Sequence, residues 1–161
     1  MARIALITGG CRSGKSRFAE DWALSQKAPW IYLATCPKQL DDEMEDRIRR
    51  HKEGREGQNW QTIEEELDLE KVIIENSGAT ILVDCLTLWI NNLMWKAEKE
   101  ASELNETIVF RRIQKIMECC RENDVRIAFV SNETGMGMMP MNKSARLFGD
   151  LAGRCNQTIA T

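Results

Sequence analysis

Gly9-Gly10-Cys11-Arg12-Ser13-Gly14-Lys15-Ser16, of the form G-x-x-x-x-G-K-S, constrains this chain more than any other stretch. It follows an apolar run, Ile4 to Thr8, and leads into a segment with helical character, Ser16 to Gln26. A strand, a glycine loop and a helix in that order let backbone N–H groups turn inward on phosphate oxygens at the positive end of the helix. In that reading Lys15 reaches the β- and γ-phosphates and the Ser16 hydroxyl ligates Mg²⁺. The competing reading, a glycine turn with a chance Lys-Ser, leaves the strand–loop–helix context unexplained.

The rest of the chain repeats the same alternation. Buried strands are expected at Ile4 to Thr8, Trp30 to Ala34, Thr80 to Asp84 and Arg126 to Ser131, with a weaker one at Trp60 to Glu64. Helices are expected at Ser16 to Gln26, Asp41 to Arg50 (with Asp41 as N-cap), Leu67 to Glu75, Leu86 to Lys96, Ser102 to Arg121 and Lys143 onward. This predicts an α/β phosphate-loop NTPase fold, RecA-like, with a mostly parallel sheet covered by helices on both faces. Ligands then bind at the carboxyl ends of the strands. The 161 residues suit one such domain, with no repeat or linker.

Composition narrows the function. A net charge of −3 argues against general nucleic-acid binding, which needs a basic face. The six cysteines form no C-x-x-C pair, so no zinc framework is expected. They are read as reduced thiols, which predicts a cytoplasmic location. The opening MARIALITGG is too short for a signal peptide or a membrane span and reads as the first strand.

Three further stretches carry candidate chemistry. Asp84 ends a buried strand, where an acid is either the second Mg²⁺ handle of a phosphate-loop protein or a cap for the next helix. His51, the only histidine, sits in RIRRHKEGREG among Arg47, Arg49, Arg50, Lys52 and Arg55. It is either a solvated side chain or an imidazole nucleophile among phosphate-binding cations. After the last strand, VSNETGMGMMP is either a plain connection or a loop over a substrate, its methionines packing a bulky apolar ligand or a subunit contact. Arg146, Asp150, Arg154, Asn156 and Gln157 follow, as surface residues or as an oligomer face.

Taken together, TGGCRSGKS, YLAT, LDDEMEDRIRRHKEGR, NWQTIEE, VDCLTLWINN, VSNETGMGMMP and ARLFGDLAGRCNQ resemble the adenosylcobinamide kinase / adenosylcobinamide-phosphate guanylyltransferase family, from Ile4 to Gln157. The R-I-x-x-H-K-x-G-R and S-N-E-x-G-x-G blocks are more specific than the phosphate loop, which many families share. The resemblance implies two reactions. A nucleoside triphosphate, ATP or GTP, phosphorylates the aminopropanol hydroxyl of adenosylcobinamide. A histidine, here His51, then attacks the α-phosphate of GTP and carries GMP to the phosphorylated corrinoid, giving adenosylcobinamide-GDP. Nucleotide-contacting positions fall on Gly9 through Ser16, on Ala34, Thr35 and Cys36, on Lys52, Glu53, Gly54 and Arg55, and on Glu64 and Asp84. A homotrimer and a cytoplasmic place in cobalamin synthesis are implied as well.

The chain also departs from the family pattern. It stops at Thr161, where members usually continue through another strand. Gly149 stands where a basic residue is usual, and Asp84 where some members carry Glu. Two other functions fit a phosphate loop: a plain small-molecule kinase with His51 a bystander, and a regulatory or assembly protein using the loop as a switch.

Overall fold

The computed structural model describes residues 2–37, 49, 57 and 59–161. Five strands are β1 (Arg3–Gly9), β2 (Trp30–Ala34), β3 (Trp60–Glu64), β4 (Thr80–Asp84) and β5 (Arg126–Asn132). Five helices of the described residues are α1 (Lys15–Leu24), α2 (Leu69–Glu75), α3 (Leu86–Lys99), α4 (Glu106–Glu122) and α5 (Lys143–Ala160). The strands form one all-parallel sheet in the order β1-β5-β4-β2-β3. This is the expected α/β class, and the weak strand at Trp60 is real. The expected helix over Asp41 to Arg50 lies, apart from Arg49, outside the described residues.

Strand side chains alternate between two faces, and the sequence supplies apolar residues to both. Ile31, Leu33, Ile81, Val83, Ile127 and Phe129 point to one face and pack with α2, α3, α4 and α5. Tyr32, Leu82, Ala128, Val130 and Ile7 point to the other, where Ala19 and Ala23 of α1 bring that helix close. Small residues on α1 allow this approach, and α1 lies over β1, β5 and β4.

The register brings the strand tips into line. Gly9 pairs with Asn132, Val130 with Asp84, Asp84 with Ala34, and Ala34 with Glu64. Paired residues share a face, so Asp84, Ala34 and Glu64 form a row on the α1 side at the carboxyl edge. Gly9, two residues beyond Ile7, belongs to that same side. No helix among the described residues is long and apolar enough to cross a membrane.

Candidate nucleotide site

The loop after β1 is shaped by close backbone approach. A Cβ on Gly9 would stand 2.5 Å from Ser13 Oγ and 3.2 Å from Ser13 Cβ, so only glycine fits without a shift. Gly14, the N-cap of α1, has φ +85°, a left-handed conformation natural to glycine. Arg12 is also left-handed, at φ 55°. Alternation of this kind points successive N–H groups into one concavity. The α1 N-terminus has no side-chain cap and no acid in its first turn, so nothing in that turn offsets its positive end.

The Lys15 ammonium donates to the Gly10 carbonyl at 3.1 Å, which holds it against the loop. The Ser13 N–H reaches the same carbonyl at 3.4 Å, and the Glu133 N–H donates to the Gly9 carbonyl at 2.9 Å. The first of these bonds closes the loop on itself. The second ties it to the start of the Met-rich segment. Cys11 is exposed at the crown of the loop, and Ser16 is half-buried at the first turn of α1.

Asp84 is half-buried at the tip of β4, and its Oδ2 accepts a hydrogen bond from the Tyr32 hydroxyl. The peptide that follows it, Asp84–Cys85, is cis. The N-cap of α3 is Cys85, whose side chain makes no cap bond. The helix-cap reading of Asp84 is therefore not what the structure shows. β5 stands between β1 and β4. At about 4.8 Å per strand, this puts the tip of β4 about 10 Å from the phosphate-loop strand.

Thr35 enters the site as architecture. It is fully buried, and each of its polar groups is engaged within the chain. Its N–H donates to the Asp84 carbonyl at 3.2 Å. Its hydroxyl donates to the Cys85 carbonyl at 2.7 Å and accepts from the Cys85 N–H at 2.9 Å. Its carbonyl accepts from Asn92 Nδ2 at 2.8 Å, and the same amide reaches the Glu66 carbonyl at 3.0 Å. Asn92 on α3 thus fastens the turns after β2 and β3 together. At the tip of β5, Asn132 Nδ2 donates to the Thr87 hydroxyl at 2.7 Å, and that hydroxyl lies 3.0 Å from Cys85 Sγ.

The thiols near the row are held protonated. Burial pushes the Cys36 thiol up first, followed by Cys85, Asp84, Glu66 and Glu64. Burial and then the Asp84 charge push Cys85 up, against hydrogen bonds from Thr87 and the Leu88 backbone. The Asp84 carboxylate and the Ser16 hydroxyl are hard oxygen donors at this edge, the kind a small divalent cation such as Mg²⁺ takes. No group of three or more His, Cys, Asp or Glu among the described residues is arranged to hold a metal by itself.

Of the residues singled out from sequence, the structure brings Gly9 to Ser16, Ala34, Cys36, Glu64 and Asp84 to the carboxyl edge of the sheet. His51, Lys52, Glu53, Gly54 and Arg55 lie outside the described residues. Tyr32 and Asn92 fall within the YLAT and VDCLTLWINN stretches, but neither is given a site role there. The available signal was physical: a tyrosine and an asparagine in apolar stretches must find partners once buried.

The chain matches the family described as cobinamide kinase / cobinamide phosphate guanyltransferase over residues 5–161. It is 36% identical over 163 residues to the bifunctional adenosylcobalamin biosynthesis protein CobU of Escherichia coli strain K12, covering 96% of this chain and 88% of that protein. The CobU protein of Salmonella typhimurium is 37% identical with the same coverage. The bifunctional adenosylcobalamin biosynthesis protein CobP of Pseudomonas aeruginosa is 38% identical over 157 residues, 96% of this chain and 86% of that one. With a glycine loop, an uncapped helix and an acid at one sheet edge, and with identity of this extent, the chain belongs to the cobinamide kinase / cobinamide phosphate guanyltransferase family.

Proposed function

We propose that this protein is a transferase that phosphorylates adenosylcobinamide and then guanylylates the product through His51. The observation that carries the reading is the row at the carboxyl edge, where the phosphate loop and Asp84 share the α1 face. Family membership supplies the two activities.

In the first reaction the N–H groups of Gly9 to Ser16 hold the triphosphate, with Lys15 on its β- and γ-oxygens. To do so Lys15 gives up the Gly10 carbonyl, to which it now donates. The corrinoid hydroxyl attacks the γ-phosphorus, its proton passes to solvent, and the nucleoside diphosphate leaves. Ser16 and Asp84 are hard oxygen donors and suit Mg²⁺, which takes few protein ligands beside phosphate oxygens and water. Bound there, Mg²⁺ would neutralise charge on the β- and γ-oxygens.

In the second reaction an unprotonated His51 nitrogen attacks the α-phosphorus of GTP. A P–N bond forms and the bond to pyrophosphate breaks. An oxygen of the corrinoid phosphate then attacks the same phosphorus, the P–N bond breaks and His51 is restored. Splitting one displacement into two is the use of a covalent relay. Lys52 and Arg55 would counter charge on the departing pyrophosphate. Glu53, Gly54, Ala34, Cys36 and Glu64 would line the nucleotide. Thr35 would support it from behind, because its polar groups are already engaged. The exposed Met136, Met138, Met139 and Met141 are the corrinoid contact in this reading. A homotrimer in the cytoplasm completes it.

GTP labelled on its α-phosphate tests the proposal. With Mg²⁺, the protein should retain label that is acid-labile and base-stable, as a phosphoramidate is. His51→Ala should abolish it, and loading should fall at acid pH as imidazole protonates. Label that survives His51→Ala sinks the guanylyl-histidine. Phosphorylation of adenosylcobinamide without any protein label supports a plain kinase. Nucleotide binding without either turnover supports a switch.

A further inference from the structure

The hydrogen bond on Asp84 comes from Tyr32, which lies in the YLAT stretch but carries no role in the sequence reading. Tyr32 pairs with Leu82 in the β2–β4 register, so Asp84, two residues beyond Leu82, is its diagonal neighbour on the same face. Diagonal neighbours in a sheet are too far apart for short side chains but within reach of an aromatic one. The Tyr32 ring is 7% exposed and meets the Trp60 ring edge to face, with centroids 6.4 Å apart at 86°. Two strands therefore fix the ring, and the ring fixes the hydroxyl on Asp84 Oδ2.

We propose that Tyr32 is a positioning residue for the Asp84 carboxylate, presenting one oxygen to the divalent metal of the phosphoryl-transfer site. The inference rests on the reading of Asp84 as the metal-binding acid. The terminal torsion of an aspartate is soft, so an unsupported carboxylate turns freely and offers either oxygen or both. Mg²⁺ demands near-octahedral geometry at short distance and tolerates that freedom poorly. By claiming Oδ2, the phenol stops the rotation and leaves Oδ1 as the donor. Partners of this kind usually matter about 10- to 100-fold in metal affinity. Phenylalanine in place of Tyr32 would keep the ring, its packing and the Trp60 contact, and would remove the hydroxyl alone.

The test is Mn²⁺ binding, read by electron paramagnetic resonance in the presence of a non-hydrolysable GTP analogue. The proteins compared are wild type, Tyr32→Phe, Asp84→Asn and the double variant. Tyr32→Phe should weaken Mn²⁺ binding about 10-fold, with metal-free nucleotide affinity unchanged. Asp84→Asn should weaken it further, and adding Tyr32→Phe to Asp84→Asn should cost nothing more. Wild-type Mn²⁺ affinity in Tyr32→Phe, with a loss in Asp84→Asn, overturns the positioning role alone. Wild-type affinity in Asp84→Asn overturns the metal assignment and Tyr32 with it. Additive losses in the double variant, or loss of cooperative unfolding in Tyr32→Phe, would also overturn the proposal, since the hydroxyl would then act elsewhere than through Asp84.

Discussion

Lys15 is the residue on which the two proposed reactions converge. Its ammonium rests on the Gly10 carbonyl, a contact that phosphate oxygens would replace. If one loop holds the triphosphate for both γ-transfer and α-attack, Lys15→Ala should lower the rates of kinase turnover and GMP loading together, each by at least about 100-fold, as loss of a charge-stabilising donor does. Parallel single-turnover assays with γ- and α-labelled nucleotide check this. Normal GMP loading in that variant would mean two separate nucleotide sites. The loop itself was legible because its residues are contiguous and each has a chemical reason to be there. Tyr32 was not, because its role depends on the register of two strands about 50 positions apart in sequence. Thr35 was visible as a candidate contact, yet its hydroxyl turned out to belong to the Cys85 backbone.

At the scale of elements, α3 does more than cover the sheet. Through Asn92 it holds two turns that carry candidate site residues, the one after β2 and the one after β3. Asn92→Ala would leave two carbonyls without that donor, at a cost of about 1–3 kcal/mol. The expected outcome is a lower urea midpoint, together with faster amide exchange in residues 35–37 and 65–68. An unchanged midpoint would mean that water or a neighbour replaces the amide. Strands were the most readable elements: apolar, β-branched runs left little choice, and β2, β3 and β4 begin and end where expected. Helix starts were less readable. α4 begins at Glu106 instead of Ser102, because Asn105 caps it by accepting from the Ile108 N–H at 3.1 Å. α2 begins at Leu69 instead of Leu67, because Asp68 accepts from the Lys71 N–H at 3.1 Å. Both caps are ordinary Asn and Asp signals.

At the scale of the molecule, the thicker side of the sheet buries two thiols whose ionisation is strongly opposed. Burial pushes Cys155 up to about 12, and burial followed by Cys119 pushes Cys120 up to about 12. In the unfolded chain these thiols ionise near 9, so above that pH the unfolded state sheds protons that the folded state keeps. Their contribution is intact below pH 9 and is lost as the pH rises toward 12, by up to about 1.4 kcal/mol per pH unit for each thiol. Urea midpoints measured from pH 8 to 10.5 should therefore decline. The decline should be shallower in Cys120→Ala and Cys155→Ala, although both start from a lower midpoint. A slope unaffected by either change would refer the alkaline loss to other groups. The strand order also belongs to this scale, and no local pattern announced it. Each strand carries its own burial code but no label for its neighbour, so β5 coming to lie between β1 and β4 is fixed only when the helices close over the sheet.

That placement of β5 has a consequence for how the protein meets a large acceptor. The segment leaving β5 starts between the phosphate loop and the acid, and its first amide is bonded to Gly9. Met136, Met138, Met139 and Met141 are 90%, 97%, 74% and 96% exposed along it. A molecule seated on those methionines would pull on the same backbone that shapes the loop's first turn. Acceptor and triphosphate would then sit at the two ends of one backbone contact, Glu133 N–H to the Gly9 carbonyl, which continues the β1–β5 ladder.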